Sequence, residues 1–291
     1  MFSAGAAPSV RPVSPSFDRI GPALPTSPVV LSVPHAGRDY PQALIARARV
    51  PLEQLRPLED RHVDTLALAA RVDEVAVLAR RPRAWIDLNR GERDRDPRVD
   101  LGAARYGMPQ LSTRVRGGLG LIPRRAAAGT EIWSEPWSAD AVAARIAQDH
   151  RPYHAALADA IAAARLRFGI AILLDVHSMP SLPGAAPPGI VIGDRFGRTA
   201  AARFVGRVEG CARRSGFRCA LNTPYAGGHI LERHGAPARG IHALQLEVDR
   251  ALYLDDARDA PGGRFDAVSK FVRDVIDALT DEALPDALAA E

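Results

Sequence analysis

The stretch Gly169-Ile170-Ala171-Ile172-Leu173-Leu174-Asp175-Val176-His177-Ser178 opens on a continuous apolar run rich in branched side chains and closes on a polar cluster. A run this short reads as a central parallel strand covered on both faces, since a buried helix would need more turns to pack. An earlier segment, Pro28-Val29-Val30-Leu31-Ser32-Val33-Pro34-His35-Ala36-Gly37, has the same design, an apolar run followed by a histidine. If both strands lie in one sheet, their ends bring His35 and His177 together at its rim, where open α/β sheets bind ligands.

Around these strands, residues 63–71 have helical apolar spacing, while Val75-Ala76-Val77-Leu78 and Ala84-Trp85-Ile86-Asp87-Leu88 read as strands. Residues 139–168 read as a long helix stopped by Gly169. The second half adds a helix near 198–214, short strands near 218–221 and 242–248, and a closing amphipathic helix near 265–279. This alternation predicts an α/β fold, a three-layer α/β/α sandwich around a mixed, mostly parallel sheet. Residues 1–27, rich in Pro, Ser, Ala and Gly, predict a flexible N-terminal arm, and 28–291 a single domain. The irregular stretch 91–138 reads as a loop region covering a substrate.

A chain of 291 residues, 47% hydrophobic and 25% charged, fits a globular protein. The net charge of +4 rests on arginine, with Lys270 the only lysine, and the arginines are interleaved with acids. That scatter argues against a nucleic-acid partner. No apolar run approaches the roughly 18 residues that span a bilayer, and Met1-Phe2-Ser3-Ala4-Gly5 does not begin a secretory signal, so no membrane partner and a cytoplasmic location are expected. Cys211 and Cys219 form no Cys-x-x-Cys pair and read as reduced thiols.

Neutral imidazole is the commonest protein ligand for zinc, and a catalytic zinc takes three protein ligands, commonly two histidines and a carboxylate. His35 and His177 supply two, and Asp175 is placed to orient the His177 ring. In Glu59-Asp60-Arg61-His62-Val63-Asp64, the third ligand is open among Glu59, Asp60, His62 and Asp64. Asp60 is favoured, because Asp64 falls inside the helix and Glu59 suits the positive helix N-terminus. Alternation along His242–Asp249 puts Gln245, Glu247 and Asp249 on the face opposite Leu244, Leu246 and Val248, which makes Glu247 the candidate catalytic base. Arg90, after Asn89, can pair with a substrate carboxylate in a two-pronged way that lysine cannot copy. Asn89, Tyr225, Gly227, Gly228 and Arg124 are further candidate substrate contacts, whereas Tyr153 and His154 read as packing residues.

Taken in order, Val33-Pro34-His35-Ala36-Gly37, Glu59-Asp60-Arg61-His62-Val63-Asp64, Asp87-Leu88-Asn89-Arg90, Gly118-Leu119-Gly120-Leu121-Ile122-Pro123, Pro152-Tyr153-His154, Asp175-Val176-His177-Ser178, Tyr225-Ala226-Gly227-Gly228 and Gln245-Leu246-Glu247 resemble the N-formylglutamate amidohydrolase family. The resemblance spans residues 28–256 and implies a phosphorylase/hydrolase-like fold related to zinc carboxypeptidases and acyl-amino-acid deacylases. It implies one zinc ion on His35, an acid such as Asp60, and His177, with Asn89 and Arg90 on the substrate carboxylate and Glu247 as base. The implied reaction is hydrolysis of N-formyl-L-glutamate, or a similar N-acyl amino acid, to formate and L-glutamate. A carboxypeptidase-like hydrolase of small peptides and a non-catalytic carboxylate-binding protein are the alternatives. The carboxypeptidase pattern has an acid three residues after its first histidine, where this chain has Arg38.

Overall fold

The computed structural model describes residues 15–103, 112–126 and 129–284. Its centre is a seven-stranded sheet in the order β1-β3-β2-β4-β7-β5-β6. The strands are β1 (Phe17–Ile20), β2 (Val29–Val33), β3 (Val75–Ala79), β4 (Ala171–Met179), β5 (Ile190–Gly193), β6 (Cys219–Leu221) and β7 (Ile241–Asp249). Pairings β2 with β3, β2 with β4, β4 with β7 and β5 with β6 are parallel; β1 with β3 and β5 with β7 are antiparallel. The mixed, mostly parallel sheet expected from the alternating pattern is therefore present. β2, β3 and β4 are buried at every position, which is why they read as unbroken apolar runs.

Helices cover both faces. One layer holds α3 (Val63–Ala70), α7 (Ala202–Arg214) and α9 (Phe265–Ala283), whose Leu66, Phe204, Val272 and Ile276 pack on Leu31, Leu174, Leu244 and Leu246. The other is built on α6 (Arg151–Phe168), whose Leu157, Ile161 and Ala164 cover Val30, Leu173 and Ala243. On this second face the same strands turn polar one step further on, at Ser32, Asp175, His177, Gln245 and Glu247. Alternation of period two places these residues directly beyond the apolar ones. The sheet surface thus passes from core to functional floor along each strand.

Three local expectations change. Phe17–Ile20, inside the stretch read as a loose arm, pairs with β3 as an edge strand, while residues 1–14 of that arm lie outside the described residues. The segment Ala84–Leu88 is no strand: Trp85 N–H closes a turn on Pro82 O and Asp87 N–H bonds the distant Leu121 O, so its backbone groups join no ladder of the sheet. The long helix 139–168 is α5 (Ala139–Arg145), a π-helical turn (Ile146–His150) and α6, and it ends at Gly169, φ 77°, a left-handed conformation that glycine adopts without a Cβ penalty. No helix among the described residues is long and apolar enough to cross a membrane.

Candidate metal centre and its pocket

The chain leaves β2 to form β3 on one side and later returns to form β4 on the other, so β2 and β4 flank the topological switch point. His35, two residues beyond β2, and His177, near the end of β4, meet there with ring centroids 4.8 Å apart. Asp60, from the loop before α3, completes the group: one ligand atom from each of the three lies within 4.8 Å of the others, and all three side chains are buried. The Asp60 N–H bonds the His35 carbonyl at 2.9 Å, fixing the loop against the strand end.

The hydrogen bonds show what this group fits. His35 Nε2 is 2.7 Å from Asp87 Oδ1, and His177 Nε2 is 2.9 Å from Asp175 Oδ2. A carboxylate only accepts, so both Nε2 atoms carry protons and neutral rings expose lone pairs at Nδ1. Those Nδ1 atoms both face Asp60 Oδ2, at 3.5 Å from His35 and 3.0 Å from His177. Lone pairs opposing a carboxylate repel unless a proton or a cation lies between them. With no cation present, burial opposes a charge on His177, yet Asp175 and Asp60 hold its pKa well above the usual imidazole value. Burial likewise works against Asp60, but hydrogen bonds from His177 and His35 hold it well below the carboxylate range. Two Nδ1 atoms, each ring backed by a buried carboxylate, and one oxygen of Asp60 form a donor set suited to zinc.

The supporting residues are themselves tied down. Tyr153 hydroxyl bonds Ser32 Oγ at 3.0 Å, and Ser32 Oγ donates to Asp175 Oδ1 at 2.7 Å, so a buried relay from α6 reaches His177. Arg83 Nε donates to Asp87 Oδ2 at 2.8 Å, and Arg250 Nη2 donates to Asp60 Oδ1 at 3.1 Å. Burial opposes the charge of Asp87, and Arg83 and Arg90 overcome it, keeping that carboxyl ionised.

A cavity of about 370 Å³ opens over this group, lined among others by His35, Asp60, Asn89, Arg90, His177, Tyr225, Gly228 and Glu247. Glu247 stands opposite His177 in the β4–β7 register and accepts a hydrogen bond from Gln245 Nε2 at 2.9 Å. Burial raises its pKa to about 7, against the pull of His177. Arg90 donates from Nε to Leu119 O and from Nη1 to Asn89 O, both at 2.8 Å, which fixes its guanidinium at the wall. Asn89 Oδ1 accepts from Ile230 N–H at 2.9 Å, and a Cβ on Gly228 would come within 2.3 Å of that oxygen. Glycine at 228 is what lets the two segments close.

Other sequence candidates go elsewhere. Arg124, expected on the substrate, is buried away from this cavity, with Nε on Asp96 at 2.8 Å and Nη1 on Glu131. Gly227 does not line the cavity; at φ 103° it shapes the loop, and its carbonyl accepts from Arg114 at 3.5 Å. Of the alternative ligands, Glu59 bonds Tyr40 and Arg61, Asp64 pairs with Arg38, and His62 bonds the Asp259 carbonyl. No periodic or motif signal in the sequence marks Arg83, Arg114 or Arg250, and Asp87 is marked only by its place in the run Asp87-Leu88-Asn89-Arg90.

Fold and cavity together define an α/β/α sandwich with a His-Asp-His cluster at its switch point. A sequence model of the family described as N-formylglutamate amidohydrolase matches residues 27–254, and the chain belongs to that family. It is 28% identical over 267 residues to an N-formylglutamate deformylase of Pseudomonas aeruginosa, covering 88% of this chain and 92% of that one. It is 30% identical over 237 residues to an N-formylglutamate deformylase of Pseudomonas putida, covering 79% and 82%. The crystal structure of an N-formylglutamate amidohydrolase from Ralstonia eutropha superposes with a TM-score of 0.83 at 33% identity, covering 95% of this chain and all of the other.

Proposed function

We propose that this protein is a metal-dependent amidohydrolase that cleaves N-formyl-L-glutamate to formate and L-glutamate. The observation that carries the reading is the convergence of His35 Nδ1, His177 Nδ1 and Asp60 Oδ2 beneath a cavity that also contains Glu247 and Arg90. The activities named for the relatives above support the choice of substrate.

His35, Asp60 and His177 would hold one zinc ion. When bound, such an ion supplies Lewis acidity, polarising the scissile carbonyl and easing deprotonation of water. Glu247, with its pKa raised by burial to about 7, accepts the proton of the attacking water and returns it to the leaving amine. Arg90 takes a substrate carboxylate, and Asn89, pinned by the Ile230 N–H, orients its amide beside it. Arg83, Arg90, Arg114 and Arg250 line the cavity against the two carboxylates Asp60 and Glu247. A cationic surround of this kind favours an acyl amino acid with two carboxylates over one that carries only its α-carboxylate.

The test is formate release from N-formyl-L-glutamate by zinc-loaded protein, with chelated protein and a Glu247→Gln variant as controls. Release that is lost in both controls is expected. Absence of release from protein carrying its zinc overturns the substrate assignment.

A further inference from the structure

Four histidines that take no part in the chemistry above gather beside the Asn89-Arg90 turn. His150 ends the π-helical turn, His154 follows one helical turn later on α6, and His229 and His234 begin and end α8 (His229–His234). Ring centroids of His150 and His154 are 4.4 Å apart, and the His229 ring is 6.0 and 5.4 Å from them. One nitrogen on each of His150, His154 and His229 lies within 4.8 Å of the others.

The hydrogen bonds determine which nitrogens carry lone pairs. His150 Nε2 is 2.8 Å from Arg90 O, and His154 Nε2 is 3.0 Å from Leu88 O. Carbonyls only accept, so both Nε2 atoms are protonated and both neutral rings keep a lone pair on Nδ1. His154 Nδ1 meets His234 Nε2 at 3.0 Å, which makes His234 the donor. His150 Nδ1 finds no hydrogen-bond partner among the described residues, and neither does His229 Nε2, although both atoms are sealed from solvent. His150 is wholly buried. Buried polar atoms without a partner are rare, and here two lie beside His154 Nδ1, whose lone pair accepts from His234.

Burial lowers the pKa of all four rings, that of His234 to about 4, so they are neutral at pH 7, the form that binds metals. Glu92 acts on His150, and Glu232 and Asp94 act on His229, as negative charge favouring a cation, with Arg233 opposing. All-imidazole donor sets suit zinc, copper and nickel and give magnesium or calcium nothing to bind.

We propose that His150, His154 and His229 form a second transition-metal site, separate from the His35-Asp60-His177 group. Its ligand rings hold the Leu88 and Arg90 carbonyls, so the bound ion fastens the segment that presents Asn89 and Arg90 to the cavity. Closing the ligand set needs ring rotation, because nitrogens bound to one tetrahedral zinc at about 2.1 Å sit about 3.4 Å apart, and it needs His154 Nδ1 to exchange the His234 hydrogen bond for the ion. His229, the least buried of the three, is the entry side.

The test uses the full chain with His35→Ala and His177→Ala combined, which removes the first site, and titrates it with cobalt(II) alone. The expected result is one equivalent bound, with the visible absorption of a tetrahedral cobalt centre, lost when His229→Gln is added. A folded double variant that binds no cobalt, or binding that is indifferent to His229→Gln, overturns the site. Should the double variant fail to fold, zinc stoichiometry of the unmutated protein decides: a second equivalent that His229→Gln removes supports the site, and any other result overturns it. Formate release reports on the first site, so the two readings fail separately.

Discussion

His177 and Glu247 occupy directly opposed positions on the parallel strands β4 and β7, one residue of each pair in register. The sheet itself therefore sets the spacing between the proposed metal ligand and the proposed base, with no flexible loop between them. Sites carried on strands hold such geometry more tightly than sites carried on loops.

Replacing Glu247 by Gln keeps size and hydrogen bonding and removes the proton acceptor. Activity on N-formyl-L-glutamate is expected to fall by about 10²- to 10⁴-fold, the usual contribution of a general base. Zinc content, measured in parallel, stays unchanged; a parallel loss of zinc would assign Glu247 to metal retention instead.

Asp87→Asn leaves the shape of the His35 partner and removes its charge. Zinc affinity is expected to drop about 10- to 100-fold, the common effect of losing a carboxylate behind a ligating imidazole. Competition with a chelator of known affinity measures this, and affinity equal to the parent would separate Asp87 from the metal.

Arg90→Lys keeps the positive charge and loses the planar fork. The expected change is a fall in kcat/KM of about 10- to 100-fold, carried by KM, from the loss of a charged hydrogen-bond pair. Steady-state kinetics on N-formyl-L-glutamate check it, and an unchanged KM would move the carboxylate to another arginine.

At Gly228 an added methyl collides with Asn89 Oδ1. Gly228→Ala is therefore expected to displace Asn89 and lower kcat by about 10²-fold, the effect of a misplacement near 1 Å. Circular dichroism should stay that of the parent, because the clash falls on a side-chain amide.

His242, on the far side of the sheet, packs against the Phe204 ring at 4.6 Å and accepts the Ala201 N–H at Nδ1. Burial and then Arg203 lower its pKa. Its folded value lies below the unfolded value, so the unfolded chain takes up the proton first and stability falls as pH drops below about 6.5. Above that pH the contribution is fully present. Urea midpoints at pH 7.5 and pH 5.0 should differ less for His242→Gln than for the parent; an equal difference would remove His242 from the acid sensitivity.

The sheet was legible because its strands are buried on both faces and so are written as apolar runs, as in Ile170–Leu174. His35 and His177 were legible because each follows such a run directly, and Glu247 because period-two alternation sets it opposite Leu246. Asp60 needed the helix start after it to stand out from Glu59 and Asp64. Arg83, Arg114 and Arg250 were not legible, since long side chains reaching in from loops leave no periodic mark. Asp87 was hidden by neighbours whose apolar character suggested a strand, although their backbone bonds go to Pro82 and Leu121. Edge strand β1 was hidden by its length and by the Pro- and Ser-rich sequence around it.

β1 and β6, at the two ends of the sheet order, are only four and three residues long, and β1 carries Asp18 and Arg19. Margins this short, one of them charged, offer few unpaired backbone groups to a neighbouring molecule, so strand-to-strand aggregation has little template here. The long, strongly apolar strands lie in the middle of the sheet, and the protein should remain dispersed when concentrated as long as those margins stay in place.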